Sequence, residues 1–192
     1  MTKPSFNAAA DHPGRPSTAE RIKEMIRVDH AGEYGAVRIY EGQLAVFRNL
    51  PHKKEITESL TRMAAEEEEH LDRFNKLVNE RQVRPTALNP LWHIGGFAMG
   101  AATALMGEKA AHACTVAVES VIDEHYQRQI DELSALKTEE DLKETIIQFR
   151  EEELAHKQEA LESGAEEAPG YPVLSNVIQT ICRAAIRASE KA

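Results

Sequence analysis

The sequence predicts an all-α fold: a four-helix bundle of two repeated helical hairpins, with a long crossover between them and an additional C-terminal helix. Three observations predict it. Apolar residues recur at spacings of three and four along most of the chain, and no segment keeps the period-two alternation of a half-buried strand. Proline- and glycine-containing breaks cut this pattern into pieces of bundle length. The connections run short, long, short, as two antiparallel hairpins with one crossover require.

In chain order, Ser17-Thr18-Ala19-Glu20 has the form of a capping box, and apolar periodicity starts at Ile22. It runs to about Arg48, where Asn49-Leu50-Pro51 breaks it. A second helix fits 52–82 and ends before Pro85 and Pro90. A third fits 108–136, and a fourth fits 139–163 after the link Lys137-Thr138. Gly164 and Pro169-Gly170-Tyr171-Pro172 stop the fourth, and an amphipathic C-terminal helix fits 173–189. Two hairpins with one long crossover make the ferritin-like form of the bundle. Residues 18–192 are expected to form this single domain, and residues 1–17, polar and with three prolines, a mobile tail.

A chain of 192 residues suffices for one domain with a sizeable core. Its 42% apolar and 29% charged residues are those of a soluble globular protein, and low aromatic and glycine content disfavours a sandwich or barrel. A net charge of −9 argues against a protein that binds nucleic acid by neutralising phosphates, and suits one that holds cations. Cys114 and Cys182, far apart in apolar helical contexts, read as reduced thiols. The first residues lack both the apolar run of a secretion signal and the arginine-rich character of an organelle presequence. The expected location is therefore a bacterial cytoplasm.

The run Ala64-Ala65-Glu66-Glu67-Glu68-Glu69-His70 looks at first like a solvated charge face. The helical phase divides it. Ile56, Leu60, Met63, Glu67, His70 and Phe74 form one stripe, so Glu67 and His70 face the core one turn apart. Glu66, Glu68 and Glu69 are expected to point sideways or to solvent. The fourth helix repeats the stripe 86 residues later as Leu142, Ile146, Phe149, Glu153, His156 and Ala160. The same offset links Glu119, a lone carboxylate in an apolar run, to Glu33, whose stripe neighbours Ile26, Val37, Tyr40 and Leu44 are largely apolar. Tyr40 and Tyr126 also match.

Four buried carboxylates and two imidazoles need compensation, since an unpaired buried charge costs at least several kcal/mol. The core stripes supply no lysine or arginine near these positions. Two divalent cations would balance the four carboxylates. One glutamate from each of two helices with Glu-x-x-His from each of the other two is the ligand set of carboxylate-bridged di-iron and di-manganese proteins. Oxygen-rich ligation with one imidazole per ion favours iron or manganese. Such a site serves several functions on this fold.

The stretch Val28-Asp29-His30-Ala31-Gly32-Glu33-Tyr34-Gly35-Ala36 resembles the demethoxyubiquinone hydroxylase family. So do Ala113-Cys114-Thr115-Val116-Ala117-Val118-Glu119, Phe149-Arg150-Glu151-Glu152-Glu153-Leu154-Ala155-His156 and the Cys182-Arg183 of the last helix. The resemblance runs from about residue 20 to the C-terminus. It implies a monooxygenase of ubiquinone biosynthesis that uses two iron ions, O₂ and an external electron donor to hydroxylate a polyprenylated 5-demethoxyubiquinol. The family's iron ligands match Glu33, Glu67, His70, Glu119, Glu153 and His156, and its His-Tyr pair matches His125 and Tyr126, with a part in substrate or electron handling. Ser120 and Glu124 depart from the residues many relatives carry, which leaves His125 open between a functional and a solvent-facing place.

A polyprenylated quinol lives in the bilayer. The crossover 90–107 includes Ile94 to Gly107, 14 residues without a charge and too short to span a membrane, which takes about 20. It reads either as an interfacial segment or as a helix packed on the bundle. The C-terminal helix carries Arg183, Arg187 and Lys191 beside its apolar stripe, suiting either an anionic membrane surface or a cover for the bundle. Peripheral attachment to the inner face of the cytoplasmic membrane is the expectation. A helper protein of ubiquinone biosynthesis and a homo-oligomer stay open. The rival readings are an iron store, a peroxide scavenger and a hydroxylase of modified tRNA on the same fold.

Overall fold

The structure, a computed structural model, describes residues 17–137 and 139–192. Apart from Ser17, the tail expected at 1–17 lies outside the described residues, as does Thr138 of the second hairpin link. Six α-helices follow one another: α1 (Thr18–Phe47), α2 (Lys54–Glu80), α3 (Asn89–Leu105), α4 (Glu108–Leu136), α5 (Glu140–Glu162) and α6 (Tyr171–Lys191). There is no strand among the described residues.

The local signals act as the sequence suggests. Ser17 and Glu20 form the reciprocal capping box, satisfying two of the backbone N–H groups that a helix start leaves unpaired. Pro51–Lys53 forms a single 3₁₀ turn, so α2 starts two residues later than its periodicity indicates. Lys137 and Glu139 both adopt left-handed backbone, which reverses the chain between α4 and α5 within a few residues.

The pairs α1–α2 and α4–α5 are the two hairpins, and α6 lies along α4 and α1. The crossover is helical: α3 starts with Pro90 in its first turn and packs along α1. Their backbones approach closely. A Cβ on Gly100 would overlap the Ile39 carbonyl, and one on Gly42 the Phe97 carbonyl. Gly107, at φ 114°, turns the chain from α3 into α4.

Two apolar clusters cap the middle of the bundle. Ile26, Phe74, Leu133, Ile146 and Phe149 belong to the one nearer the start of α1. Tyr40, Phe47, Ile56, Leu60 and Met63 belong to the other. Both clusters are close apolar packing, so polar groups between them are shielded from solvent along the bundle axis. Cys114 is buried and Cys182 half-buried, both unpaired, as reduced thiols should be; burial pushes them up to about 12 and about 11.

Candidate metal centre

The layer between the clusters holds the six residues singled out by spacing. Glu33 comes from α1, Glu119 from α4, Glu67 and His70 from α2, and Glu153 and His156 from α5. None is more than 4% exposed. Their donor atoms fall into two groups, each within 4.8 Å: Glu33, Glu67, His70 and Glu153, and then Glu67, Glu119, Glu153 and His156. Glu67 and Glu153 belong to both.

The shared glutamates split their oxygens between the histidines. Glu153 turns Oε1 to His70 Nδ1 and Oε2 to His156 Nδ1, at 3.1 Å each. Glu67 places Oε2 3.9 Å from His70 Nδ1 and Oε1 3.4 Å from His156 Nδ1. Glu67 and Glu153 would thus be placed to bridge two ions, with Glu33 and His70 on one side and Glu119 and His156 on the other.

Both histidines are held from behind by carboxylates of the opposite hairpin. Glu152 Oε2 lies 2.6 Å from His70 Nε2, and Glu66 Oε2 lies 2.5 Å from His156 Nε2. A proton on Nε2 donated to each carboxylate leaves the Nδ1 lone pair free for a metal, the usual outer support of a ligating imidazole. Glu66, expected to point sideways or to solvent, thus has a partner in the core. It is half-exposed with its tip turned inward, while Glu68 and Glu69 are exposed. The offset of 86 residues that links the ligands also links Glu66 to Glu152, a signal that sequence reading left unused.

The electrostatics are those of a cluster built around positive charge. Burial pushes the carboxyls of Glu67 and Glu119 well above the ordinary range, and both Glu67 oxygens lack any hydrogen-bond partner among the described residues. Burial also opposes the charge on Glu153, but hydrogen bonds from His156 and His70 outweigh it and bring the group to about 2. Burial would lower both histidines, yet their glutamate partners raise His70 to about 12 and His156 to about 11. Protons on the two imidazoles supply positive charge to the cluster. The orphaned Glu67 carboxylate and the oxygen-rich donor set fit two divalent ions, which would displace those protons on binding.

Tyr126 is fully buried and its hydroxyl donates to Glu33 Oε1. His125 does not face solvent: it is buried, with Nε2 2.9 Å from Asp29 Oδ1, one step removed from the ligands.

Beside this layer lies an apolar cavity of about 640 Å³. It is lined from α1 by Gly32, Gly35 and Ile39, and from α4 by Val118, with α3 and α6 adding Met99 and Ile178 among others. Gly32 and Val118 directly precede Glu33 and Glu119, whereas α2 and α5 contribute no lining residue. Leu91, Met106, Val177 and Ile181 line it and are also about half exposed, so the cavity opens on an apolar rim.

Together these features define the class: an all-α bundle with a buried carboxylate–imidazole cluster that could hold metal, beside an apolar cavity. The particular family follows from comparison. Residues 20–189 match the family described as "Ubiquinone biosynthesis protein COQ7", and the chain belongs to it. It is 52% identical over 179 residues to a Rhodospirillum rubrum protein named "3-demethoxyubiquinol 3-hydroxylase", covering 93% of this chain and 82% of that one. A Bos taurus protein named "NADPH-dependent 3-demethoxyubiquinone 3-hydroxylase, mitochondrial" is 48% identical over 174 residues, covering 90% and 78%. A Saccharomyces cerevisiae "5-demethoxyubiquinone hydroxylase, mitochondrial" is 41% identical over 184 residues, covering 88% and 78%.

Proposed function

We propose that this chain is a ferritin-like di-iron monooxygenase that hydroxylates the ring of a polyprenylated demethoxyubiquinol at a late step of ubiquinone biosynthesis. The observation that carries this reading is the pairing of two overlapping donor groups, sharing Glu67 and Glu153, with an apolar cavity beside Glu33 and Glu119. The reaction joins one oxygen atom of O₂ to a ring carbon in place of hydrogen and releases the other as water, with two electrons and two protons from an external donor. NADPH is the donor carried in the name of the Bos taurus relative.

Bound iron supplies the activation of O₂. Everything else falls to the chain. The six donors fix two positions, Glu152 and Glu66 hold the imidazoles in their ligating tautomer, and the apolar clusters exclude bulk water. The cavity orients the quinol ring against the α1 and α4 glutamates, and its rim receives the isoprenoid tail. An iron store has no use for such a cavity, and the family does not favour that reading.

The test is direct. Metal-free protein is loaded anaerobically with Fe²⁺ and demethoxyubiquinol, isotopically labelled O₂ is admitted, and the quinones are read by mass spectrometry. One labelled oxygen in the ring is expected. Consumption of O₂ without ring labelling would sink the assignment.

The rim also supports a location at a lipid surface. No helix of the described residues is long and apolar enough to cross a membrane. Val173, Val177 and Ile181 of α6 and Leu91, Ile94 and Leu105 of α3 are exposed, while α6 carries Arg183, Arg187 and Lys191. This combination suits peripheral binding to an anionic bilayer, on the inner face of the cytoplasmic membrane in a bacterium. The protein is expected to float with anionic vesicles, and Val177→Glu with Ile181→Glu to stay behind. Wild type that fails to float would rule this placement out.

A further inference from the structure

The offset of 86 residues pairs Glu33 with Glu119, Glu67 with Glu153, His70 with His156, and the outer partners Glu66 with Glu152. The repeat fails one step further out. The Tyr126 hydroxyl donates to Glu33 Oε1. Its counterpart Tyr40 is equally buried, but its hydroxyl, beside Thr115, donates to no carboxylate among the described residues, Glu119 included. The surroundings differ as well. His125 Nε2 and Gln129 Nε2, on either side of Tyr126, hold Asp29 Oδ1 at 2.9 and 2.8 Å. The matching positions are Ile39, Gln43 and Thr115. Gln43 donates instead to the Ala111 carbonyl, and Ile39 packs in an apolar cluster. A polar bracket between α1 and α4 thus flanks Tyr126, whereas Thr115 is the polar group beside Tyr40.

The consequence at Glu33 is directional. Oε1 is taken by Tyr126, while Oε2 lies 3.6 Å from His70 Nδ1 and faces the donor group. A hydrogen bond on one carboxylate oxygen draws electron density from it and disfavours chelation. Glu119, without a hydroxyl upon it, has both oxygens to give. We propose that the two metal positions are unequal: Tyr126 limits Glu33 to one metal-facing oxygen, so the Glu33–His70 position binds its ion more weakly and keeps a coordination place open. Tyr126 is then a positioning residue for Glu33, and the Asp29, His125 and Gln129 bracket serves to aim it. This inference rests on the metal-centre reading above.

Metal-free full-length protein titrated with Mn²⁺ tests it, followed by calorimetry and by electron paramagnetic resonance. Wild type is expected to bind two ions per chain in two steps, the second about tenfold weaker, the scale of a hydrogen bond to a charged group. With one equivalent added, the spectrum should be that of isolated ions, since one position fills first. Tyr126→Phe should tighten the weak step by about tenfold and leave the strong one, and Tyr40→Phe should alter neither. Equal steps in wild type, or the same response in both variants, would overturn the proposal while leaving a metal centre in place. Wild type that binds no Mn²⁺ would overturn both.

Discussion

Glu67→Ala is expected to remove both metal ions and all turnover, while Glu68→Ala, one residue further, leaves metal content and turnover at the wild-type level. Glu67 is fully buried, belongs to both donor groups and has no hydrogen-bond partner for either oxygen among the described residues. Its loss therefore takes a bridge from two ions at once. The metal-free fold should tolerate the change, because burial already favours the neutral form of this carboxyl, and alanine removes a polar group that was costly to bury. Glu68 is exposed on the same helix and takes part in no contact of the cluster. Glu66 stands between them. Glu66→Ala keeps all six ligands but frees the His156 ring, and a loss of about 10- to 100-fold in metal affinity follows from removing such support. Metal content after dialysis, read with turnover and helical circular dichroism, ranks the three variants. Equal losses at Glu67 and Glu68 would refute the facial assignment.

The proposed ligands were legible because two regularities coincide on them. Helical phase put Glu67 and Glu153 among Leu60, Met63, Ile146 and Phe149, and all of these are buried. The repeat then tied α1 to α4 and α2 to α5. What escaped sequence reading depends on contacts between elements distant in the chain. Glu66 sits to the side of its helix by phase, but its side chain is long enough for the tip to turn inward and meet a histidine 90 residues away. His125 is buried because Asp29, from the other hairpin, pairs with it. The helix α3 is a different case. Its uncharged, glycine-rich sequence has no polar face to set a period, so the pattern was equally open to an interfacial segment. Its glycines acquire meaning only against α1, where Gly96 and Gly100 let the two backbones meet, and its other face leaves Leu91, Ile94 and Leu105 exposed. The packed reading of the crossover thus describes its α1 face.

Gly32→Leu combined with Gly35→Leu is expected to make the fold more stable and the enzyme inactive. Glycine in the middle of a helix is destabilising by about 1 kcal/mol relative to alanine, and leucine is nearly as good a helix former as alanine. Two glycines in the interior of α1 therefore call for a reason other than stability. A Cβ at either position would meet no atom within 4 Å, and both line the cavity beside Glu33. They differ from Gly42 and Gly100, where a Cβ would run into the backbone across the α1–α3 contact. Those two let helices touch; Gly32 and Gly35 keep space empty. Filling that space should raise stability by about 1–2 kcal/mol from helix propensity, seen as a higher thermal midpoint. Metal content should not change, since no ligand is touched. Turnover should fall more than tenfold, because two leucine side chains occupy the approach of the quinol ring to the centre. Gly100→Leu supplies the contrast: α3 is forced from α1, and stability and turnover fall together. A stabilised Gly32→Leu/Gly35→Leu variant with full iron content and undiminished ring hydroxylation would mean that the substrate reaches the centre by another route.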